Sequence, residues 1–105
     1  MLVHDVHAER LATLSAATGA RALDAITDHD LNGLAALVMC VKPQDLLVTA
    51  TPLRGRVGAR TLVVSLLAGV PMADVAAALG HAGPVVRAMP NICATVCVRR
   101  AYVVE

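Results

Sequence analysis

Aromatic side chains are nearly absent from this sequence of 105 residues, which has one Tyr and neither Phe nor Trp. Hydrophobic residues still make up 57%, mainly Ala, Val and Leu, so a core must be built from small aliphatic side chains, and intrinsic disorder is excluded. Charged residues are only 16%, with a formal net charge of +1. Since there is no basic stripe and no set of interleaved aromatic residues on which bases could stack, nucleic acid is not an expected partner.

Signals for membrane insertion and export are also lacking. The most apolar run, residues 61–70, is about half of the ~20 residues that a membrane-spanning helix needs. The first seven residues carry an acid and two His in place of the basic flank of a signal peptide. The cysteines Cys40, Cys93 and Cys97 are odd in number, and more than fifty residues separate the first from the second, which does not favour a disulfide framework. We therefore expect a cytoplasmic protein with reduced thiols and no membrane partner.

The hydrophobic pattern predicts strands that alternate with helices. Strands are expected at 2–4, 20–23, 34–41, 61–67 and 85–89, and helices at 8–18, 24–32, from Pro43 to Pro52, and at 71–79. The runs at 34–41 and 61–67 have no polar alternation, which is typical of strands covered on both faces. Strands separated by helices of about ten residues predict an α/β fold with right-handed βαβ units and a parallel sheet.

Ligands of open parallel sheets bind beyond the carboxyl ends of the strands. The segments expected at that rim are Asp5 and residues 40–44, 65–70 and 87–91.

Three motifs within these segments carry a family resemblance. Residues 41–45 read VKPQD, residues 68–71 read AGVP before an Ala-rich helix, and residues 85–91 read VVRAMPN. In this order and spacing they resemble the N-terminal dinucleotide-binding domain of pyrroline-5-carboxylate reductases, over roughly residues 2–91. The resemblance implies a partial Rossmann-like parallel sheet with flanking helices at 1–91, its first strand missing, and a divergent or truncated tail at 92–105. It also implies an oxidoreductase that reduces a cyclic imine to L-proline with NADP or NAD as cofactor.

The same resemblance implies where the cofactor would bind. Cys40, Val41, Lys42 and Pro43 would follow one strand, and Leu66, Leu67 and Ala68 the next, contacting the dinucleotide mostly through backbone and small side chains. Asp5 would accept hydrogen bonds from the adenosine ribose. It implies no catalytic acid or nucleophile and no metal ligand in these residues, because in such enzymes the cofactor supplies the chemistry.

Two parts of the family pattern are missing from these 105 residues. No G-x-G-x-x-G turn is present to bind a diphosphate, and no helical dimerisation domain follows. The missing first strand would lie mid-sheet, so its loss either splits the sheet or lets the flanking strands close up in the order 3-2-4-5-6. We expect the isolated chain to be inactive. The alternative is a noncatalytic interaction module, or a remnant, that self-associates through unpaired strand edges.

Several of these residues also have simpler interpretations. Lys42 can be a solvated loop lysine, and Asp5 a turn or cap residue. Arg87 can bind an anion or pair with a surface acid. Cys93 and Cys97 are spaced by four, which matches no usual zinc pattern. A related Rossmann oxidoreductase with another substrate is a third functional alternative.

Overall fold

The computed structural model describes residues 1–89 and 103–104. The chain divides into two compact units, Met1–Leu31 and Asn32–Glu105, and its strands form two separate sheets. Strands and helices alternate along the chain and the βαβ units are parallel, which confirms the α/β class.

The first unit is one βαβ turn followed by a short helix. Strand β1 (Leu2–Val3) pairs in parallel with β2 (Arg21–Ala22), and α1 (Ala8–Thr18) connects them, with the bounds that the sequence predicts. Helix α1 ends at Gly19, whose φ of 72° is in the left-handed region that glycine enters without steric cost. The helix expected at 24–32 is a single turn, α2 (Asp28–Leu31).

The second unit contains the larger sheet. In chain order its elements are β3 (Ala36–Met39), α3 (Leu46–Ala50) between the 3₁₀ turns Pro43–Asp45 and Thr51–Leu53, β4 (Leu62–Ser65), α4 (Met72–Leu79), β5 (Val85–Ala88) and β6 (Val103–Val104). The spatial order is β3-β4-β5-β6, with the first three strands parallel and β6 antiparallel to β5. Pro43 begins the first helical turn after β3, as its fixed φ favours.

The core of the second unit is aliphatic, as the composition predicts. Val63 in β4 and Val75 and Leu79 in α4 have no exposed surface, and Met39 in β3 is almost fully buried. Leu46 and Ala50 of α3 and Leu53 of the second 3₁₀ turn are buried as well. The described residues of this unit include no Phe, Tyr or Trp, so many small contacts between these side chains stabilise it.

One expectation about the sheet is wrong, and one of the two alternatives for its strands is not observed. The run at 34–41 is not covered on both faces, because Ala36 is exposed and Val38 has 53% of its surface exposed. The strands do not close up around the missing one either: in the described chain β1 pairs with β2, and β3 pairs with β4. A strand of two residues such as β1 offers few ladder hydrogen bonds, so joining the sheets through it would gain little. The sheet is therefore split.

Within the described residues, no helix combines the length and the apolar character that crossing a membrane requires. No group of three or more His, Cys, Asp or Glu side chains is placed to hold a metal ion in this part of the chain. Cys93 and Cys97 lie outside the described residues.

Candidate functional site

The carboxyl ends of β3, β4 and β5 form one rim of the larger sheet. Met39 pairs with Ser65, and Ser65 pairs with Arg87, so the three strands end level with one another. The ladder continues by one step, because the main-chain N–H of Leu66 donates to the carbonyl oxygen of Met39 at 2.9 Å. The described residues of the segments expected after these three strands lie at this rim.

The first rim loop follows β3. Cys40 and Lys42 are exposed and Val41 is half-buried. Lys42 has extended backbone angles, and its carbonyl oxygen accepts a hydrogen bond from the N–H of Asp45 at 2.9 Å, which starts the turn at Pro43. Partial desolvation raises the pKa of the Cys40 thiol above its ordinary value, so this thiol is neutral at pH 7.

The second rim loop follows β4, and one of its two leucine side chains is buried in the core. Leu67 is 1% exposed, so its side chain belongs to the core, while Leu66 is half-buried and Ala68 is exposed. The N–H of Leu67 donates to the buried hydroxyl of Ser65 at 3.3 Å. Gly69 then turns the chain with a φ of 72°. The loop thus presents main chain and small side chains to the rim, which is what close approach of a flat ligand requires.

The third rim segment is the end of β5. Arg87 is half-buried, and its Nε is buried without a hydrogen-bond partner among the residues that the structure describes. Met89 is 46% exposed, and the residues that follow it lie outside the described part. The sequence left two interpretations of Arg87 open, binding of an anion and pairing with a surface acid. Among the described residues, no acid pairs with it.

Asp5 lies in the other compact unit, where its carboxylate is held locally. One oxygen accepts the N–H of His7 at 2.7 Å, and the other lies 3.7 Å from Nε of Arg10. This is the arrangement of a turn residue before α1. The structure therefore brings Cys40–Pro43 together with Leu66–Ala68 at one rim, and places Asp5 in the turn before α1 of the first unit.

Ser65 is the rim residue whose role the sequence did not reveal. Its hydroxyl is buried and fixes the start of the second loop through the N–H of Leu67. One feature of the sequence could have indicated this role: Ser65 is a single hydroxyl residue at the end of an apolar strand, where a buried polar group must find a hydrogen-bond partner.

Comparison with known proteins gives these observations a context. No protein-family model matches the chain. It is 43% identical over 60 residues to the pyrroline-5-carboxylate reductase of Methanosarcina acetivorans. These matched residues cover 57% of this chain and 22% of that protein. It is 38% identical over 68 residues to the reductase of Pseudomonas aeruginosa, covering 65% of this chain and 23% of that protein. A solved pyrroline-5-carboxylate reductase from Coxiella burnetii matches with a TM-score of 0.71 and 26% identity, covering 90% of this chain and 35% of that chain.

The chain is similar to pyrroline-5-carboxylate reductases in sequence and in fold. The expected resemblance and the Rossmann-like α/β fold are both confirmed. The chain spans less than a quarter of the length of the two curated reductases and about a third of the solved one. What it shares with the reductases is therefore one part of a longer protein.

Proposed function

We propose that this chain forms part of the nicotinamide-dinucleotide-binding domain of an oxidoreductase that reduces pyrroline-5-carboxylate to L-proline. The observation that carries the proposal is the similarity to reductases over a fold whose strands β3, β4 and β5 end at one rim. The small-molecule substrate, the use of NADP or NAD and a cytoplasmic location are parts of the same proposal.

The rim residues fit one part of such a cofactor. The exposed Ala68, the turn at Gly69 and the inward side chain of Leu67 leave main chain accessible beside the first loop. Cys40, Val41, Lys42 and Pro43 would flank the dinucleotide on one side, and Leu66, Leu67 and Ala68 on the other. When bound, the nicotinamide would supply the hydride, and the protein would orient it.

The residues present do not fit the diphosphate. Diphosphates in this fold bind to main-chain N–H groups of a glycine-rich turn at a helix N-terminus, and these 105 residues contain no G-x-G-x-x-G segment. We therefore infer that the chain by itself binds the dinucleotide weakly and has negligible reductase activity.

Calorimetry with NADPH and with NADH tests this proposal. The expected dissociation constants of the 105-residue chain are weaker than about 1 mM, which is about −4 kcal/mol of binding free energy. An assay of NADPH consumption with pyrroline-5-carboxylate should show no turnover. Micromolar affinity, or robust turnover by these residues alone, would contradict the inferred lack of a diphosphate site.

The second candidate function is a noncatalytic module that self-associates. The split sheet favours it, because β3 stands at the end of its strand order with one edge unpaired in the described chain. Unpaired strand edges are templates for adding another strand. Sedimentation of the chain over a range of concentrations distinguishes the two functions, since cofactor binding predicts no dependence of mass on concentration.

A further inference from the structure

Asn32 and Gly33 lie in the turn that leads from α2 towards β3. Asn32 is the first residue of the second compact unit, and both residues are exposed. Gly33 has a φ of 70°, in the left-handed region, and a Cβ added there would meet no atom within 4 Å. Among the described residues, neither the side-chain amide of Asn32 nor the main-chain N–H of Gly33 takes part in a hydrogen bond. No such bond in this part of the chain therefore fixes either group.

These two groups can react with each other. The main-chain nitrogen of the residue that follows an Asn attacks the side-chain Cγ, because the two atoms close a five-membered ring. Glycine is the most reactive residue in this position, since it has no Cβ to hinder the approach and its main chain adopts conformations that other residues rarely reach. The nitrogen attacks after it has lost its proton to hydroxide, so an exposed N–H without an acceptor is the reactive kind. Both reactants belong to one chain, which makes the step intramolecular.

The sequence contains no second site of this kind. It has two asparagines, Asn32 and Asn91, and one glutamine, Gln44. Asn91 precedes Ile92, whose branched Cβ crowds the main-chain nitrogen that would attack. Gln44 can close only a six-membered ring, which forms more slowly. The contrast comes from the covalent neighbours of each side chain, whatever packs around them.

We propose that Asn32 is a site of spontaneous deamidation, in which the main-chain nitrogen of Gly33 displaces ammonia from the Asn32 side chain. A bond from this nitrogen to Cγ forms, the bond from Cγ to Nδ2 breaks, and the proton of the Gly33 amide leaves as part of the ammonia. The product is a succinimide. Water then adds to either carbonyl carbon of the ring and opens it to an aspartyl or an isoaspartyl residue. The net reaction consumes one water and releases one ammonia, with no oxidation or reduction.

Both products change the chain shortly before β3. Each replaces a neutral amide with a carboxylate, which lowers the formal net charge from +1 to zero. The isoaspartyl product also lengthens the main chain by one carbon atom. Just after the turn, the carbonyl oxygen of Leu34 accepts the hydroxyl of Thr61 at 2.7 Å, and that of Ala35 accepts the N–H of Leu62 at 3.0 Å. The modified residue thus directly precedes the contacts that hold the start of β3 beside β4.

Incubation of the 105-residue chain in mildly alkaline buffer, followed by peptide mapping with mass spectrometry, tests this proposal. Asn32 should convert to two products of equal mass, with the isoaspartyl product in excess. Asn91 in the same sample should convert at least about tenfold more slowly. Isoaspartate is identified by its fragment ions in electron-transfer dissociation and by labelling with an isoaspartate carboxyl methyltransferase. Ion-exchange chromatography should show the gain of one negative charge.

Two substitutions test the assigned atoms. Gly33→Ala keeps Asn32 and adds a methyl group beside the attacking nitrogen, so the rate should fall about tenfold or more. Asn32→Gln keeps the amide and lengthens the side chain by one carbon, so no conversion should be detected at this position. Alanine is strained at the φ of Gly33, and hydrogen exchange of the Leu62 amide, which donates to β3, reports whether Gly33→Ala is folded. If it is not, the unmodified chain and Asn32→Gln decide.

The same chain unfolded in urea is the reference for the native turn. Because the turn is exposed and neither reacting group is bonded, the native chain should convert within about a hundredfold of the unfolded rate, and slower conversion would overturn the proposal. Aspartate without isoaspartate would exclude the ring intermediate. An unchanged rate in folded Gly33→Ala would exclude the Gly33 nitrogen as the attacking atom. No readout involves the dinucleotide or self-association, so the two candidate functions are judged separately.

Discussion

Nη1 of Arg54 donates a hydrogen bond to the carbonyl oxygen of Ala77, with 2.6 Å between the two atoms. The same nitrogen lies 3.4 Å from the carbonyl oxygen of Ala78, and the N–H of Gly55 donates to that of Leu79 at 3.0 Å. The last carbonyl groups of a helix have no partner inside it and carry partial negative charge. A cation and an N–H from the segment before β4 thus stabilise the end of α4.

We expect Arg54→Ala to lower the free energy of unfolding by about 1–2 kcal/mol, because a charge-assisted hydrogen bond at a helix end is lost. Urea unfolding followed by circular dichroism measures this change. Arg60→Ala removes another exposed arginine of the same unit and should change stability by less than about 0.5 kcal/mol. Equal effects of the two substitutions would show that the cap of α4 contributes nothing.

Gly83 is expected to tolerate no side chain. A Cβ at this position would clash with the carbonyl oxygen of Ala59 and would lie 2.8 Å from the ring of His81. Since the nearer atom is backbone, Gly83→Ala should cost about 2 kcal/mol or more by forcing the chain to shift. Thermal unfolding of Gly83→Ala is the measurement.

Gly58→Ala serves as its control, because the added Cβ would make only an ordinary 3.5 Å contact with Thr61. This substitution should be close to neutral. A Gly83→Ala variant as stable as Gly58→Ala would mean that the close approach between Gly83 and Ala59 is not a constraint.

Asp30 should titrate below its ordinary pKa of 3.8. The N–H of Thr27 donates to the carboxylate at 2.9 Å, the Thr27 hydroxyl donates at 2.8 Å, and the charge of Arg21 adds to the effect. Since the pKa is lower in the fold than in the unfolded chain, the carboxylate stabilises the fold above about pH 4, and this contribution is lost as the pH falls through the folded pKa. Carbon-13 NMR of the carboxyl group gives the midpoint.

Thr27→Val removes the hydroxyl and keeps the N–H, so it should raise the pKa of Asp30 only part of the way towards its ordinary value. A midpoint at or above 3.8 in the unmodified chain would show that the capping contacts of α2 do not form in solution.

Cys40 should react slowly with iodoacetamide. Desolvation raises the pKa of its thiol above the ordinary value of 9.0, and the thiolate is the reactive form. In dilute protein carrying Cys93→Ser and Cys97→Ser, the rate at pH 8 should be lower than in the same protein unfolded by urea. The midpoint of the pH–rate curve should also lie above 9.0. Equal rates in the folded and unfolded chains would indicate that the thiol is fully solvated.

Local chemistry made part of the fold predictable. Helix α1 has its predicted bounds because its apolar spacing and Gly19 act within a few residues. Val38 was wrongly expected to be covered, since an apolar residue reports a preference for burial but not whether another element lies over it. The contact between Arg54 and Ala77 joins residues that are distant in sequence, and no local pattern predicts it.

The candidate site was also predictable from the sequence only in part. The meeting of Cys40–Pro43 with Leu66–Ala68 follows from the general rule that parallel strands end at one rim. The sequence could not distinguish Leu66 from Leu67, two identical neighbours, because the choice of the buried one depends on the pleat and on the hydroxyl of Ser65. The two contacts of the Asp5 carboxylate depend on the positions of His7 and Arg10 at the start of α1.

The parallel arrangement of β3, β4 and β5 also has a kinetic consequence. Each pairing joins segments that a complete crossover separates in the chain, so the entropy of closing that loop is lost before the first ladder bond forms. Formation of the sheet is then the slow step of folding, and strands β3 and β4, which carry no charge to deter misassembly, are most vulnerable to aggregation while the chain is being synthesised.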